Sequence, residues 1–339
     1  MFHAHKRDTG LTARNTLPAL AVELCARETQ AIFVLVVVLT VVALGGNALL
    51  REGERGTAAE HRANLARTFA AAAPILTEGD LVVTHGNGPQ VGNELLRQEL
   101  AAGEAPPLPL YVAVAQTQAE IGALITAELA PVAGRAVAVL VTRVRVDESD
   151  PAFQNPTKPI GPFYDEQRAR ALEEERGWVV HEDAGRGWRR VVPSPEPLDV
   201  IELDAIKTLL EAEMAVVAVG GGGVPVVERN GRHDGIDAVI DKDRASAVLA
   251  IGLGADRLVI LTQVPAVYAG FGTKEGRPLP ELRPGRDEAI LADLPAGSMR
   301  PKVEAAFNFV RATGGEALIT SADALEKNEA GTKIVPASR

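Results

Sequence analysis

The sequence is poor in cysteine and in positive charge, and each shortage excludes a class of protein. Cys25 is the only cysteine among 339 residues, so an intrachain disulfide and a cysteine-based zinc site are both excluded. The net charge of -10 argues against a nucleic-acid partner, because neutralising a phosphate backbone requires clustered Lys and Arg. A single cysteine is typical of a reducing compartment, so the sequence predicts a cytoplasmic protein.

The one long apolar run, AIFVLVVVLTVVAL at Ala31–Leu44, is too short for an ordinary membrane span. Glycines follow it instead of a small-residue cleavage site, so it does not end as a signal peptide does. We interpret its second half, about Leu39 to Leu44, as a buried strand. Residues 1–36 are interpreted as an N-terminal extension, either disordered or a start-site artefact. A membrane anchor is the minority alternative, and no membrane partner is expected.

Strand-like and helix-like segments alternate over residues 37–339. TVVALGG precedes a helical stretch from Thr57 to Ile75, DLVVTHGNG precedes Val91 to Leu100, and a helix is predicted over Pro301 to Ala312. AVAVLVTRVRV is a further apolar, β-branched run. Apolar strands separated by helices predict an α/β fold, with a mostly parallel sheet covered on both faces. The hydrophobic fraction of 46% is ample for such a core.

Residues 147–197 depart from this alternation. The segment is rich in Pro, Arg, Glu and Asp and contains both tryptophans, Trp178 and Trp188. Within it, GWVVHEDAGRGWRRVVPSP alternates apolar and polar residues, which is typical of a β-hairpin. We therefore interpret residues 147–197 as an ordered, protruding lobe inserted between the two halves of the sheet.

Three glycine-rich loops each follow a predicted strand. They are Gly45-Gly46-Asn47, Gly86-Asn87-Gly88 and the run from Gly220 to Gly223. A single such loop has a plain explanation, since tight strand-to-helix turns favour glycine. Three loops at the carboxyl ends of parallel strands converge on one crevice, where exposed backbone N–H groups bind anions. The pattern therefore favours an anion site.

The familiar nucleotide motifs are missing. No G-x-x-x-x-G-K-[ST] occurs, and no G-x-G-x-x-G follows a predicted strand. A P-loop enzyme and a dinucleotide-dependent dehydrogenase both lose support for this reason. The anion site must therefore be built from other residues.

Lysine is much rarer than arginine here, and three lysines stand in distinctive short stretches. Lys158 lies in NPTKPIGPFYD, Lys242 in AVIDKDRAS where a predicted strand gives way to a helix, and Lys302 in GSMRPKVEAA. Lys302 is expected in the first turn of a helix, where it adds positive charge to an end that is already electropositive. Such a position is sensible when an anion sits there. The alternative for each lysine is a solvated surface position.

Seven stretches follow one another along the chain: VVALGGNALL, VVTHGNGPQVGNELL, DPAFQNPTKPIGPFY, GWRRVVPSPEP, GGGGVPVV, AVIDKDRAS and GSMRPKVEAA. Together they resemble carbamate kinase, of the amino-acid kinase superfamily. The resemblance runs from about Thr40 to the C-terminus and includes the lobe. KPIGP and HGNGPQVG are its most specific parts.

The resemblance implies a fold and a reaction. The fold is a three-layer αβα sandwich with a mostly parallel central sheet of about eight strands and a small protruding subdomain, usually in a homodimer. The reaction is reversible phosphoryl transfer between ATP and carbamate, giving ADP and carbamoyl phosphate. Mg²⁺ would be held mainly by the nucleotide, with no metal ligand assigned to the protein. The expected direction is toward ATP synthesis in catabolism, such as arginine breakdown.

The resemblance also implies roles for individual residues. Lys242 and Lys302 would contact the transferring phosphoryl group, and Asp243 would orient them. Lys158, on the lobe, would reach over the carbamoyl phosphate. The implied phosphate- and carbamate-binding residues are Gly45, Gly46, Asn47, Gly86, Asn87, Gly88, Gly221 and Gly222. The implied nucleotide-binding residues are Val264, Tyr268, Met299 and Pro301.

These residue types suit the implied chemistry. Phosphoryl transfer requires mainly positioning and charge stabilisation, and carbamate already carries a nucleophilic oxygen, so no general base is needed. Lysines and backbone N–H groups offset the repulsion between the two anionic substrates, ATP and carbamate. The role of His85 stays open between catalysis and a structural hydrogen bond.

Two alternatives remain at this point. One is another small-acid kinase of the superfamily, acting on an amino acid, UMP or a phosphonate, which would need its own recognition groups. The other is a non-catalytic sensor of a nucleotide or of carbamoyl phosphate. A sensor is expected to lack part of the lysine set, whereas Lys158, Lys242 and Lys302 are all present.

Overall fold

The computed structural model describes residues 21–22, 34–35, 37–183, 187–273, 275–295, 297–329 and 331–337. The chain divides into two compact units, Met1–Val37 and Val38–Arg339. In the first unit, strands β1 (Ala21–Val22) and β2 (Val34–Leu35) pair antiparallel. Most of the predicted N-terminal extension lies outside the described residues.

The second unit is built on a sheet of eight strands. In spatial order these are β17 (Glu281–Leu282), β19 (Thr332–Ile334), β18 (Glu316–Thr320), β14 (Arg257–Leu261), β3 (Leu39–Leu44), β4 (Asp80–His85), β11 (Ala215–Val217) and β5 (Val137–Val139). Neighbouring strands run parallel except β18 and β19, which pair antiparallel. The mostly parallel sheet of about eight strands is confirmed.

The described residues form helices on this frame. They are α1 (Ala58–Leu76), α2 (Gly88–Ala101), α3 (Leu110–Ala133), α4 (Glu166–Arg176), α5 (Leu203–Glu211), α6 (Lys242–Leu253), α7 (Ile290–Asp293), α8 (Met299–Thr313) and α9 (Ala322–Glu326). The helices predicted from Thr57 and around Pro301 correspond to α1 and α8. No helix within the described ranges is long and apolar enough to cross a membrane.

The two faces of the sheet pack against different helices. Successive strand residues point to opposite faces, so Val41 and Ala43 of β3 join one apolar cluster while Val42 and Leu44 join another. The first cluster includes side chains of α6 and α8, and the second includes side chains of α1 and α3. This arrangement gives the three αβα layers that the sequence predicts.

Three smaller sheets accompany the main one. A four-stranded sheet has the order β10 (Pro197–Val200), β6 (Arg143–Val146), β12 (Val224–Arg229), β13 (Arg232–Gly235); a three-stranded sheet has the order β7 (Lys158–Tyr164), β9 (Trp188–Val192), β8 (Val179–Glu182); and β15 (Tyr268–Ala269) pairs with β16 (Arg277–Pro278). Strands β8 and β9 pair antiparallel, which confirms the predicted hairpin. We call the β7–β9–β8 sheet with α4 the lobe.

The β-branched run AVAVLVTRVRV contains two strands. The run divides into β5 and β6, which belong to different sheets. At the break, the Thr142 backbone bonds to a side chain: its N–H donates to Gln118 Oε1 (2.9 Å) and its carbonyl accepts from Gln118 Nε2 (3.0 Å). Gln118 comes from α3, so the hydrophobic pattern of the run alone could not reveal the break.

Candidate active site

The site is organised by the start of helix α6. The Asp241 carboxylate caps the helix by accepting hydrogen bonds from the backbone N–H groups of Asp243 (3.0 Å) and Arg244 (3.3 Å). Lys242 and Asp243 therefore lie in the first helical turn. Residues 236–241 are irregular, so the strand predicted immediately before this helix is wrong.

Asp243 joins two of the three predicted lysines. Its Oδ1 lies 2.5 Å from Lys242 Nζ, and its Oδ2 lies 2.9 Å from Lys302 Nζ, near the start of α8. The Asp243 side chain is 3% exposed, whereas those of Lys242 and Lys302 are 13% and 15% exposed. The carboxylate is thus buried beneath two ammonium groups that still reach the surface of the site.

The charges in this cluster depend on one another. Burial raises the pKa of Asp243, but Lys242 and Lys302 more than offset that effect and hold it below its usual value. Burial lowers the pKa of Lys242, and Asp243 opposes this shift. Two ammonium groups share one carboxylate, so the cluster carries an excess positive charge in a poorly solvated place. An anion bound there would compensate it.

A cavity of about 330 Å³ opens beside this cluster. Lys242 and Lys302 line it together with Gly45 and Gly46. Its other lining residues include Val264, Tyr268, Phe271 and Met299. The volume lies within the range of small-molecule sites, about 300–1,000 Å³. A cavity lined by two ammonium groups and several apolar side chains suits a ligand with a flat apolar part and anionic groups.

Lys158 approaches the same helix start from the lobe. Its Nζ lies 3.0 Å from Asp241 Oδ2, so Asp241 both caps α6 and pairs with the lobe lysine. Burial raises the pKa of Asp241, but Lys158 and then Lys242 hold it far below its usual range. Lys158 and Asp241 line a second cleft of about 740 Å³, together with Pro301. Pro301 thus lines this cleft, whereas Val264, Tyr268 and Met299 line the first cavity.

The three glycine loops converge, as the sequence predicts. Gly45 and Gly46 border the first cavity, and Gly86 lies against Lys242, whose Cδ would be 3.5 Å from an added Cβ. Gly221 and Gly222, with φ of 64° and 90°, lie in the left-handed region. A Cβ on Gly221 would come within 2.3 Å of Asn87 Nδ2, and one on Gly222 within 2.4 Å of the Ile240 carbonyl oxygen. Backbone conformation and packing therefore account for this pair of glycines.

The other loop residues differ in what surrounds them. Gly46 and Gly88 have nothing within 4 Å of an added Cβ, which leaves open space beside their backbones. Asn87 is buried, and its Nδ2 donates to Thr117 Oγ1 at 2.9 Å. Asn47 Oδ1 accepts from Gln263 Nε2 at 2.6 Å. Asn47 also lines a separate polar pocket of about 130 Å³ with Arg51.

Sequence reasoning missed three residues of the site. Asp241 pairs with Lys158, Gln263 holds Asn47, and Phe271 borders the first cavity. A signal was available for Asp241 alone, because an acidic residue just before a helix is a typical N-cap. The contacts of Gln263 and Phe271 depend on tertiary structure and leave no local pattern.

His85 makes a structural hydrogen bond in this site. Its Nδ1 lies 2.9 Å from the Gly86 carbonyl oxygen, which only accepts, so Nδ1 carries the proton. The ring is buried, and Gly220 packs against it so closely that a Cβ there would come within 2.4 Å of Nε2. Burial lowers the pKa of His85 to about 4. The imidazole is therefore neutral near pH 7.

We expect His85 to make the folded protein sensitive to acid. Between pH 6.5 and about 4 the unfolded chain binds a proton at His85 that the folded protein does not, so stability falls as pH falls through this window. The full contribution is about 3 kcal/mol. In His85→Gln, denaturant unfolding at pH 7, 6, 5 and 4 should show a shallower decline than in the wild type. The exposed His233→Gln serves as the control, and equal slopes in all three proteins would contradict the assignment.

Within the described ranges, no group of three or more His, Cys, Asp or Glu side chains is placed to hold a metal ion. Both carboxylate oxygens of Asp243 are occupied by lysines, and both of Asp241 by Lys158 and backbone N–H groups. A cation at this site would therefore need oxygen ligands from a bound molecule.

Comparisons with known proteins identify the family. The sequence model of the amino acid kinase family matches residues 38–321. Carbamate kinase of Pyrococcus horikoshii is 45% identical over 312 residues, covering 87% of this chain and 98% of the relative. Carbamate kinase of Trichomonas vaginalis is 45% identical, with coverages of 87% and 99%.

A solved structure, carbamate kinase from Giardia lamblia bound to AMP-PNP, matches with a TM-score of 0.80 and 39% identity. The match covers 89% of this chain and 99% of that chain. An αβα sandwich with a lysine-lined cavity is the architecture of a kinase for small acids. The chain belongs to the amino acid kinase family and, within it, to the carbamate kinases.

Proposed function

We propose that this protein catalyses reversible phosphoryl transfer between ATP and carbamate, running toward ATP synthesis in catabolism such as arginine breakdown. The observation that carries the proposal is the pair of lysines that are held on Asp243 and line a cavity with apolar side chains. Two relatives named carbamate kinases support the choice of reaction, since the matches cover 98–99% of their length.

The nucleotide would occupy the 330 Å³ cavity. The base would lie against Val264, Tyr268 and Met299, and the phosphates would extend toward Lys242 and Lys302. This orientation puts the transferring phosphoryl group where the excess positive charge is. Because such transfer depends on charge stabilisation and positioning, fixed ammonium groups are the main catalytic contribution required of the protein.

The acceptor would lie between the glycine loops and the 740 Å³ cleft that Lys158 and Asp241 line. Carbamate is an anion with a nucleophilic oxygen, so its chemistry requires no general base. His85 is buried, and its lowered pKa makes it a weak base, which suits a reaction that requires none. Lys158 is held on Asp241 and would exchange part of that ion pair for the carbamoyl phosphate.

Mg²⁺ is proposed to arrive on the nucleotide. Its preferred ligands are phosphate oxygens and a few carboxylates, and the carboxylates of this site are engaged with lysines. When bound there, the ion would offset part of the phosphate charge. We further propose that the protein is a cytoplasmic homodimer with ATP, ADP, carbamate and carbamoyl phosphate as its small-molecule partners.

The test of this proposal is the initial rate of ATP formation from ADP, Mg²⁺ and a phosphoryl donor. With carbamoyl phosphate we expect turnover, and with acetyl phosphate a rate lower by about tenfold or more, since a site that hydrogen-bonds an NH₂ group discriminates against a methyl group. Equal rates with both donors would favour another small-acid kinase. No ATP from either donor, in folded protein that binds ADP, would favour a sensor.

A further inference from the structure

A second ligand-sized cavity lies between helix α2 and the lobe, apart from the candidate active site. Its volume is about 420 Å³, and its apolar walls include Leu95, Pro107, Leu108 and Trp178. None of the proposed catalytic, phosphate-binding or nucleotide-binding residues lines it. Both its size and its apolar walls are typical of small-molecule sites.

An unpaired guanidinium faces this cavity. Arg190, on strand β9, is half-buried and lies 4.8 Å above the centroid of the Trp178 ring. Among the described residues, no carboxylate is within ion-pairing distance of Arg190 and no group hydrogen-bonds to its side chain. Burial lowers the pKa of Arg190 while Asp237, farther away, opposes the shift. A half-buried guanidinium without an ion-pair partner is free to bind an anion in the cavity.

The carboxylate of Glu99, which also lines this cavity, already has three partners. Glu99 accepts a hydrogen bond from the Tyr164 hydroxyl (3.0 Å) and pairs with Arg168 (3.3 Å) and Arg176 (3.8 Å). Arg176 also lies 5.3 Å over the Trp178 ring. Arg168 is also paired with Glu175 (3.2 Å) and does not line the cavity, whereas Arg176 and Arg190 do. The lining therefore has two guanidinium groups and one carboxylate, a surplus of one positive charge.

We propose that this cavity binds a small carboxylate with a flat or branched apolar body. The carboxylate would accept parallel hydrogen bonds from Arg190, whose planar fork matches that geometry. The apolar body would lie between Trp178 and the leucines of α2 and the following loop. A ligand without a negative charge would leave the half-buried guanidinium unpaired and is expected to bind more weakly.

The position of the cavity connects it to the candidate active site. Helix α2 starts directly after Gly86 and Asn87, and strand β7 of the lobe starts at Lys158. Gly92 of α2 packs against Gly161 of β7, with an added Cβ only 3.2 Å from the Gly161 Cα. A ligand in the cavity would contact α2 directly and, through Arg190, strand β9, which pairs with β7.

The test is ¹⁹F NMR titration of 4-fluorobenzoate into the full chain, with AMP-PNP at saturation so that the nucleotide cavity is blocked. We expect saturable binding to the wild type and a dissociation constant raised about tenfold or more in Arg190→Gln. The uncharged analogue 4-fluorobenzamide should show no saturable binding. Binding is measured directly, so the result is independent of the proposed reaction.

Arg170→Gln is the matched control. Arg170 also belongs to the lobe and lies 4.4 Å over the Trp188 ring, but it is paired with Glu173 at 2.7 Å and is not a lining residue of the cavity. Its variant should bind 4-fluorobenzoate as the wild type does. Absence of saturable binding, equal affinity for the amide, or equal affinity in Arg190→Gln would overturn the proposal. If Arg190→Gln does not fold, the more exposed Arg176→Gln decides: binding weakened about threefold or more supports the site, and unchanged binding refutes it.

Discussion

Lys302→Ala should lower kcat by about a thousandfold or more, because it removes one of the two charges that we propose stabilise the transferring phosphoryl group. Lys302 Nζ is held by Asp243 at 2.9 Å, so the ammonium is already in place before substrate binds. Such a fixed charge stabilises the transition state without reorganisation during the reaction. The measurement is the steady-state rate of ATP formation from carbamoyl phosphate and ADP.

The fold should survive this substitution. Lys242 remains paired with Asp243 at 2.5 Å, so the buried carboxylate keeps one counter-charge. Lys207→Ala, at an exposed position on helix α5, is the matched control and should change kcat by less than about twofold. A Lys302→Ala protein with unchanged thermal unfolding and near wild-type turnover would show that this lysine does not stabilise the transition state.

Asp243→Asn should both destabilise the protein and impair catalysis. The substitution leaves two lysines with buried stems and no carboxylate between them, and removal of one partner from a buried ion pair costs about 3–5 kcal/mol. Because Lys242 already has a pKa lowered by burial, losing Asp243 should lower it further. Turnover should fall by about a hundredfold or more as the lysines lose both charge and position.

The pH dependence separates the loss of stability in Asp243→Asn from its loss of activity. Above the lowered pKa of Lys242, the unfolded chain binds a proton that the folded variant does not, so the stability deficit should shrink as pH rises from 7 to 9. The activity deficit should grow over the same range, since a neutral amine stabilises no phosphoryl charge. Asp323→Asn, which breaks an exposed ion pair with Arg51, is the control and should cost less than about 1 kcal/mol at either pH. If neither the stability deficit nor the activity deficit of Asp243→Asn changes with pH, the proposed dependence of the Lys242 charge on Asp243 is contradicted.

The sequence predicts the central sheet of this protein well because the strands of that sheet are strongly apolar. Strand β3 lies at Leu39–Leu44 as predicted, and its alternate residues face two separate clusters. The convergence of the glycine loops could also be predicted, because the carboxyl ends of parallel strands meet at one edge of a sheet. Strand β3 and the glycine loops can each be recognised from a few neighbouring residues in the sequence.

Features that depend on distant residues could not be predicted. Lys158 and Asp241 are 83 positions apart in sequence, and nothing in either neighbourhood indicates that they pair. The break between β5 and β6 depends on Gln118, a side chain from another element. Met299 and Pro301, both in the first turn of α8, line different cavities. Along a helix, consecutive residues point in different directions, and only the packed structure shows which side each one faces.

The most direct test of the central claim, that Lys242 and Lys302 hold the transferring phosphoryl group, is a crystal structure with AMP-PNP and Mg²⁺. We expect γ-phosphate oxygens within hydrogen-bond distance of both Nζ atoms, and the adenine against Val264, Tyr268 and Met299. A γ-phosphate bound instead in the polar pocket of Asn47 and Arg51, out of reach of both lysines, would contradict the claim.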